Sequence, residues 1–193
     1  MFRIISGRWK GKKISAPKHF DVRPTTDFAK EALMSILEHR LDLESIKVLD
    51  LFAGIGSISL ELASRYCQDI TSVELNPKHC SFILSTAAEL DMALQINVQR
   101  ADVYDYLKKQ RNKSSYDLIF ADAPFDSTEE KKYQELINLV LSGNFLSTQG
   151  IFVLEHQSRM KLAHPKLVQT RKYGNISFSF FESQENNIEE QEL

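Results

Sequence analysis

Short apolar runs alternate with helix-like stretches through the middle of this chain, and this alternation constrains its fold more than any other feature. The predicted strands, in which β-branched and aromatic residues cluster, are 46–51, 69–75, 96–100, 116–121 and 150–156. The predicted helices, in which apolar residues recur at helical spacing, are 57–66, 77–90, 103–110 and 129–142. Strands that alternate with helices form a mostly parallel sheet covered on both faces, so we predict an α/β fold.

The two ends of the chain depart from this alternation. Residues 166–182 are predicted to form two antiparallel strands around Gly174 and Asn175, because Gly-Asn is a tight-turn pair. An α/β sheet closed by such a hairpin is, by analogy of fold, the outline of a class I methyltransferase. Ahead of the sheet we predict a β-hairpin over 3–15 and then a helix that Thr26 caps.

Charge is distributed unevenly along the chain. The formal net charge is −2, but residues 1–23 carry seven Lys and Arg against one Asp, so the remainder is acidic. We therefore expect a basic N-terminal hairpin and helix at 1–40, a main domain at 41–183 and an acidic, disordered tail at 184–193. The N-terminal segment has no apolar core of a secretory signal, and no apolar run is long enough to span a bilayer, so we expect a cytoplasmic protein.

The segment VLDLFAGIGS at 48–57 combines a strand, a glycine-bearing loop and the start of a helix. Gly54 and Gly56 allow a sharp turn and a close approach of the backbone to a ligand. In a doubly wound sheet such a loop lies at the carboxyl ends of the strands, where ligands bind. The glycines alone leave open the alternative of a tight strand-to-helix turn without a ligand.

Three acids recur at the ends of successive predicted strands, as they would around one adenosine-containing ligand. Asp50 precedes the glycine loop and suits a cationic or amino-bearing part of the ligand. Glu74 ends the next strand and suits the ribose hydroxyls, with a solvated strand-end acid as the alternative. Asp102 follows the third strand and suits an adenine amino group, with a helix N-cap as the alternative.

The chemistry of this loop favours S-adenosylmethionine over a dinucleotide. The dinucleotide fingerprint G-x-G-x-x-G requires a third glycine-like residue, and Ser59 occupies that position. Asp50 would repel a pyrophosphate, because like charges repel, but it is better placed beside the amino-acid part of S-adenosylmethionine.

A second segment, FADAPFD at 120–126, places an acid, a stiff proline and an aromatic ring where a buried strand opens into a loop. Such a set can hold a flat nitrogen base, and an ordinary turn is the alternative.

Four segments together match one known family in their order and spacing: ISGRWKGKKI at 5–14, RPTTDFAKEAL at 23–33, VLDLFAGIGSISLELASR at 48–65 and FADAPF at 120–125. The chain resembles the RsmD family of bacterial 16S rRNA guanine-N2 methyltransferases, from about residue 3 to residue 182. The glycine loop is shared by many methyltransferases, whereas the G-R-W-K-G and R-P-T-T-D elements are far more specific.

The resemblance implies the class I S-adenosylmethionine-dependent methyltransferase fold, which is Rossmann-like, with a small N-terminal hairpin extension. It implies methyl transfer to the exocyclic N2 amine of one guanine in 16S rRNA, of the guanine 966 type. The substrate would be the small ribosomal subunit or its assembly intermediate, and we expect the enzyme to be a monomer.

The resemblance also implies a catalytic loop formed by Asp122, Ala123, Pro124 and Phe125. Asp122 and the carbonyl of Ala123 would accept hydrogen bonds from the target amine and so localise its lone pair, while Phe125 would stack on the base. The family's motif usually reads Asp-Pro-Pro-Phe or Asp-Pro-Pro-Tyr. Ala123 departs from it, which predicts a looser loop without the loss of an acceptor.

Two further sets of residues are predicted. The S-adenosylmethionine-binding set is Thr25, Asp50, Phe52, Ala53, Gly54, Gly56, Glu74, Asp102, Val103 and Asp122. The RNA-binding set, whose cations would pair with phosphates, is Arg8, Lys10, Lys12, Lys13 and Arg23. A solvated hairpin is the alternative for these cations, and for Trp9 between them we favour packing against the domain.

Two other functions remain open on the sequence. One is an amine methyltransferase that acts on DNA adenine or protein glutamine, although those families more often have Asn at the position of Asp122. The other is a non-catalytic or weakly active ribosome-assembly factor, which only Ala123 favours.

Cys67 and Cys80 are predicted to be reduced thiols in or near the core, and the histidine spacing predicts no metal site.

Overall fold

The computed structural model describes residues 1–17, 20, 25–124 and 129–183. The strands are β1 (Phe2–Arg3), β2 (Lys13–Ile14), β3 (Lys47–Leu51), β4 (Asp69–Glu74), β5 (Ile96–Arg100), β6 (Tyr116–Asp122), β7 (Leu146–Gln157), β8 (Leu167–Tyr173) and β9 (Ile176–Glu182). The helices are α1 (Asp27–Arg40), α2 (Ser57–Ser64), α3 (Pro77–Glu89), α4 (Val103–Gln110) and α5 (Glu130–Ser142). The predicted elements are confirmed, whereas Arg23, Phe125 and the acidic tail lie outside the described residues.

Seven strands form one sheet in the order β5-β4-β3-β6-β7-β9-β8. The first five are parallel, while β9 pairs antiparallel with both β7 and β8. The predicted α/β fold, with a mostly parallel sheet and a C-terminal antiparallel hairpin, is therefore confirmed. The two central strands β3 and β6 are apolar and buried on both faces, as expected for parallel strands between two helical layers.

Alternate residues of each strand enter two separate cores. Val48, Phe120 and Phe178 lie in one core with the buried side chains of α1, α2 and α3. Leu49 and Ile119 lie in the other, with the buried side chains of α4 and α5. The period of two along a strand thus places α1, α2 and α3 on one face of the sheet and α4 and α5 on the other.

The predicted helix starts are confirmed in atomic detail. The hydroxyl of Thr26 accepts a hydrogen bond from the backbone N–H of Ala29, so Thr26 caps α1. Pro77 occupies the first turn of α3, behind the cap Asn76. Strand β7 begins earlier than predicted, at Leu146, which pairs with Tyr116 of β6 ahead of a register shift to the pairing of Leu118 with Ile151.

The predicted N-terminal hairpin is present, and its turn docks on the end of α2. The backbone N–H of Arg8 donates to the carbonyl of Ser64 at 2.7 Å, and Gly7 is so close that a Cβ there would lie 1.9 Å from that oxygen. The indole of Trp9 donates to the carbonyl of Leu90 at 2.9 Å, which confirms the prediction that Trp9 packs against the domain. The G-R-W-K-G element therefore fixes the turn to the sheet's helices.

A buried ion pair stands beneath this hairpin. Lys30 of α1 and Glu61 of α2 are both fully buried, with Nζ 3.3 Å from Oε2. Glu61 also accepts from the backbone N–H groups of Ile5 and Ser6 and from Arg65. One carboxylate thus joins the hairpin to both helices, and charge-assisted hydrogen bonds of this kind are stronger than neutral ones.

Both cysteines are free and buried, as predicted. Among the described helices, none combines the length and the apolar character that a membrane crossing requires.

Candidate active site

A cavity of about 1100 Å³ opens at the carboxyl ends of the parallel strands. Its wall is formed by the loops that follow β3, β4, β5 and β6, which is where ligands bind in open α/β sheets. Predicted site residues in its lining are Thr25, Asp50, Phe52, Ala53, Gly54, Glu74, Asp102, Val103, Asp122 and Pro124. Among the residues that the structure describes, Gly56 and Ala123 belong to the predicted set but do not line the cavity.

The glycine loop after β3 has the conformation that its sequence requires. Gly54 has φ +55°, and a Cβ there would meet no atom closer than 3.9 Å, so this backbone faces open space in the cavity. Gly56 has φ +77° and lies against α3, where a Cβ would sit 2.9 Å from Ile83. Gly54 therefore leaves room for a ligand, whereas Gly56 permits close packing of two helices.

Asp50 is the most enclosed carboxyl group of the cavity wall. Burial raises the pKa of Asp50 to about 7, and a hydrogen bond from the hydroxyl of Ser59 partly opposes that rise. Ser59 in turn shares a 2.7 Å hydrogen bond with Ser72 of β4. Burial destabilises the ionised carboxyl of Asp50. A cationic ligand group beside it would favour the ionised form, and in this buried position water would not compete for the interaction.

In the sequence, Ser59 was notable only because it occupies the position of the third glycine in the dinucleotide fingerprint. The structure gives it a positive function, because its hydroxyl orients the carboxyl of Asp50. The available signal in the sequence was a hydroxyl nine residues after Asp50, in the first turn of the helix that follows the glycine loop.

Glu74 is held at the end of β4 by the chain itself. Its Oε2 accepts from the backbone N–H of Gly54 at 2.8 Å, and its Oε1 accepts from the N–H of Asn76 at 2.7 Å. A carboxylate has about four acceptor positions, so the geometry leaves capacity for ligand hydroxyls. The two backbone amides fix the orientation of the Glu74 carboxylate and therefore the direction of its remaining acceptor positions.

The two interpretations of Asp102, a ligand contact and a helix cap, are compatible in the structure. It caps α4, since its Oδ1 accepts from the backbone N–H of Asp105 at 3.1 Å, and it also lines the cavity. Val103, the next residue, lines the cavity as well and packs in the core beneath α4. An acid and an apolar surface are thus side by side where a purine would be bound.

Asp122 ends β6 and lines the cavity. Burial and, after it, the negative charge of Glu155 raise the pKa of Asp122 well above its usual range. Ala123 is buried in the core beneath α5, while Pro124 is exposed and lines the cavity.

Glu155 is a site residue that the sequence did not reveal. It lies directly opposite Asp122 in the parallel pairing of β6 and β7, and its Oε2 accepts a 2.7 Å hydrogen bond from the hydroxyl of Thr25. Burial raises the pKa of Glu155 to about 7, and the bond from Thr25 partly opposes that rise. An acid near the end of the otherwise apolar strand GIFVLEH was the only sequence signal.

Those predicted RNA-binding cations that the structure describes do not line the cavity. Arg8, Lys10, Lys12 and Lys13 are exposed, and two of them form ion pairs with acids that follow or end α3. Arg8 contacts Asp91 at 3.4 Å and Lys12 contacts Glu89 at 3.0 Å.

The donors and acceptors of the cavity fit S-adenosylmethionine. Asp50 suits its ammonium group, Glu74 its ribose hydroxyls and Asp102 its adenine amino group, while Phe52 and Val103 provide apolar surface for the ring. The open space at Gly54 leaves room for the chain that joins these parts.

The comparisons with known proteins agree with this geometry. A family model described as conserved hypothetical protein 95 matches residues 2–182. Ribosomal RNA small subunit methyltransferase D of Buchnera aphidicola is 30% identical over 184 residues, which cover 93% of this chain and 90% of that protein.

Two solved structures are similar over nearly their whole length. The putative methyltransferase yhhF of Escherichia coli is 25% identical with a TM-score of 0.78, covering 94% of this chain and 97% of the other. The putative methylase HI0767 of Haemophilus influenzae is 26% identical with a TM-score of 0.76, covering 94% and 98%.

The fold and the cavity thus define a class I methyltransferase, the class that uses S-adenosylmethionine as its methyl donor. Within that class, the chain belongs to the conserved hypothetical protein 95 family, the RsmD family whose resemblance the sequence motifs indicated.

Proposed function

We propose that this protein transfers a methyl group from S-adenosylmethionine to the exocyclic N2 amine of a guanine in 16S rRNA, of the guanine 966 type. One observation carries the proposal: Asp122, at the end of β6, and Pro124 after it both line the cofactor cavity. A relative that shares the family over most of its length is named ribosomal RNA small subunit methyltransferase D. The reaction would take place in the cytoplasm, on the small subunit or its assembly intermediate, with the protein as a monomer.

Asp122 has two tasks in this reaction. The amine of guanine is a weak nucleophile because its lone pair is delocalised into the ring, and a hydrogen bond from one N–H to Asp122 localises that pair. The backbone carbonyl of Ala123 accepts from the second proton. When bound, the cofactor supplies an electrophilic methyl carbon, and most of the acceleration arises from holding the amine in line with it.

The raised pKa of Asp122 suits the proton that must leave. Once the N–CH₃ bond has formed, the amine carries a positive charge and loses one proton. A carboxylate whose pKa lies above its ordinary value accepts that proton more readily than an exposed aspartate does. Glu155 contributes to this property, because its charge faces Asp122 from the neighbouring strand.

The test is methyl transfer from radiolabelled S-adenosylmethionine to three substrates. These are small subunits from cells that lack the modification, naked 16S rRNA and DNA, each digested afterwards to identify the methylated nucleoside. We expect N2-methylguanosine from the subunits or their RNA. Methyladenine from DNA, or cofactor binding without any transfer, would contradict the proposal.

A matched pair of variants connects the activity with the site. Asp122→Asn retains an acceptor oxygen but cannot take up the proton, and we expect a large fall in kcat with cofactor binding preserved. Asp117→Asn changes another acid of the same strand, whose carboxyl accepts from the backbone N–H of Lys47 and from Ser147 outside the cavity. Methyl transfer by Asp117→Asn should remain close to that of the unaltered protein.

A further inference from the structure

The described cations of the hairpin turn, Arg8 and Lys12, lie at the end of α3 that is remote from the cavity. Residues at the start of α3 line the cavity, whereas the hairpin contacts Glu89 and Leu90 at its far end. Thirteen residues of α-helix span roughly 19 Å, at about 1.5 Å per residue. Described cations at the carboxyl edge of the sheet are therefore better placed to contact the nucleotides next to the target.

An aromatic pair lies at the carboxyl edge of the sheet, the edge that also carries the cavity. Phe28, in the first turn of α1, is 71% exposed, and its ring meets Tyr173 edge to face with a centroid distance of 6.0 Å. Thr25, three residues before Phe28, lines the cavity. Tyr173 ends β8 just before the turn at Gly174, and the pairing of Gln157 with Ile176 places that turn at the carboxyl edge of the sheet.

Cations accompany this pair. Arg159 and Arg171 are exposed, and in the part of the chain that the structure describes neither of them forms an ion pair. Arg171 donates to the uncharged side-chain amide oxygen of Gln169. Its side chain lies on the same sheet face as Tyr173, because the two residues are two positions apart along β8.

Arg159 belongs to the same surface through the backbone. The N–H of Ser158 donates to the carbonyl of Asn175 at 2.9 Å, which holds the start of the loop after β7 beside the hairpin turn. The nearest acid in α1, Asp27, is already paired with Arg3 at 3.1 Å. The positive charge of this edge is therefore not neutralised by that carboxylate.

We propose that Phe28, Arg159, Arg171 and Tyr173, which we call the hairpin surface, bind the single-stranded rRNA nucleotides that flank the target guanine. The inference rests on the proposed function and adds the place where the substrate is held. A base stacks on the exposed face of Phe28, and phosphates pair with the cations of the hairpin. Together they present the flipped guanine to Asp122.

The experiment measures both binding and turnover with unmethylated 16S rRNA. Phe28→Leu keeps an apolar side chain but removes the aromatic face, so the Kd for RNA should rise about tenfold. The KM for RNA should rise with it, while kcat and the affinity for S-adenosylhomocysteine stay unchanged. Phe28→Trp should restore binding, because it restores a stacking face.

The cations are tested by the salt dependence of binding. Replacing Arg159 and Arg171 together by Gln should reduce the slope of log Kd against log salt by about 1.4, since each phosphate contact on a single strand contributes about 0.7. Lys108→Gln with Lys109→Gln is the matched control, because these adjacent exposed cations end α4 at the opposite edge of the sheet. Leu94→Ala is the matched control for Phe28, as Leu94 is fully exposed between α3 and β5.

The outcomes separate this inference from the proposed function. Normal RNA binding by the Phe28 and Arg159/Arg171 variants, in a protein that still methylates rRNA, would overturn the hairpin surface alone. A defect seen with assembled subunits but not with naked rRNA would mean that a ribosomal protein occupies the surface, which also overturns it. If the unaltered protein methylates no RNA, both proposals fail.

Discussion

Glu155 and Asp122 lie opposite one another at the ends of two parallel strands, and the hydroxyl of Thr25 binds Glu155. Two acids so placed cannot both ionise easily, because each charge destabilises the other. Thr25 precedes α1, so the start of that helix, the strand β7 and the proposed catalytic loop are joined through one carboxyl group.

We expect Glu155→Gln to shift the pH dependence of methyl transfer. The change removes the charge that faces Asp122, while burial, the larger cause of its raised pKa, remains. The pKa of Asp122 therefore falls, and the acidic limb of the kcat/KM profile moves to lower pH. Glu182→Gln, at the end of β9, is the control and should leave the profile in place. An acidic limb that does not move in Glu155→Gln would show that Asp122 is not the group that titrates.

The buried carboxyl groups should make the cofactor-free protein less stable as the pH rises. The pKa of Asp50 is about 7 in the folded protein and about 3.9 in an unfolded chain, so the folded state holds the extra proton between these values. The free energy of unfolding then decreases as the pH rises from about 4 to about 7. The decrease is about 1.4 kcal/mol for each unit by which the folded and unfolded pKa values differ.

Asp50→Asn tests this pH dependence directly. The amide cannot ionise, so its urea-denaturation midpoint should fall less between acidic and neutral pH than that of the unaltered protein. Asp122 and Glu155 have raised pKa values too, and they should keep part of the trend in the variant. An identical pH dependence in both proteins would contradict the buried state of Asp50.

Gly7→Ala should destabilise the protein much more than Gly11→Ala. Both glycines have a positive φ, near +80°, but only at Gly7 would a Cβ collide with a backbone oxygen, that of Ser64. We expect a loss of about 2–4 kcal/mol for Gly7 and about 1 kcal/mol for Gly11, where strain alone acts. Urea denaturation followed by the fluorescence of Trp9, the only tryptophan, measures both. Equal losses would mean that the hairpin does not dock as described.

The buried pair Lys30–Glu61 should respond unequally to the loss of each partner. Glu61→Leu leaves the ammonium of Lys30 without its carboxylate and removes the acceptor of two hairpin amides, so we expect a loss of about 3–5 kcal/mol. Lys30→Met leaves Glu61 bound to Arg65 and should cost less. A double-mutant cycle in urea measures the coupling, and a larger loss for Lys30→Met would contradict this account.

Most of the fold could be predicted because its signals are local. Pro77 and Thr26 mark helix starts through their own backbone chemistry, and the period of apolar residues separates strands from helices. The acids of the cavity could be predicted as a group since the carboxyl ends of parallel strands meet at one edge. Strand β7 was predicted to start at Gly150, whereas it starts at Leu146, because the irregular pairing that brings Leu146 opposite Tyr116 has no local signal.

The contacts that were missed depend on register and on distant partners. No pattern in the sequence states that Glu155 faces Asp122, because that pairing is fixed only when β7 lies beside β6. Ser59 appeared as a missing glycine, and only the position of α2 relative to β3 shows that it binds Asp50. The docking of Trp9 on Leu90 likewise joins segments far apart in the chain.

The docked hairpin also sets an order of events during synthesis. Trp9 and the carbonyl that binds its indole are 81 residues apart, so at roughly 5–20 residues per second the ribosome makes Leu90 about 4–16 s after Trp9. Until then the apolar residues Phe2 and Ile4 have no complete core to enter. The hairpin is thus made before the partners that hold it and is among the later parts of its half of the protein to fold, so a nascent chain of this protein carries this basic, apolar segment in the open for several seconds.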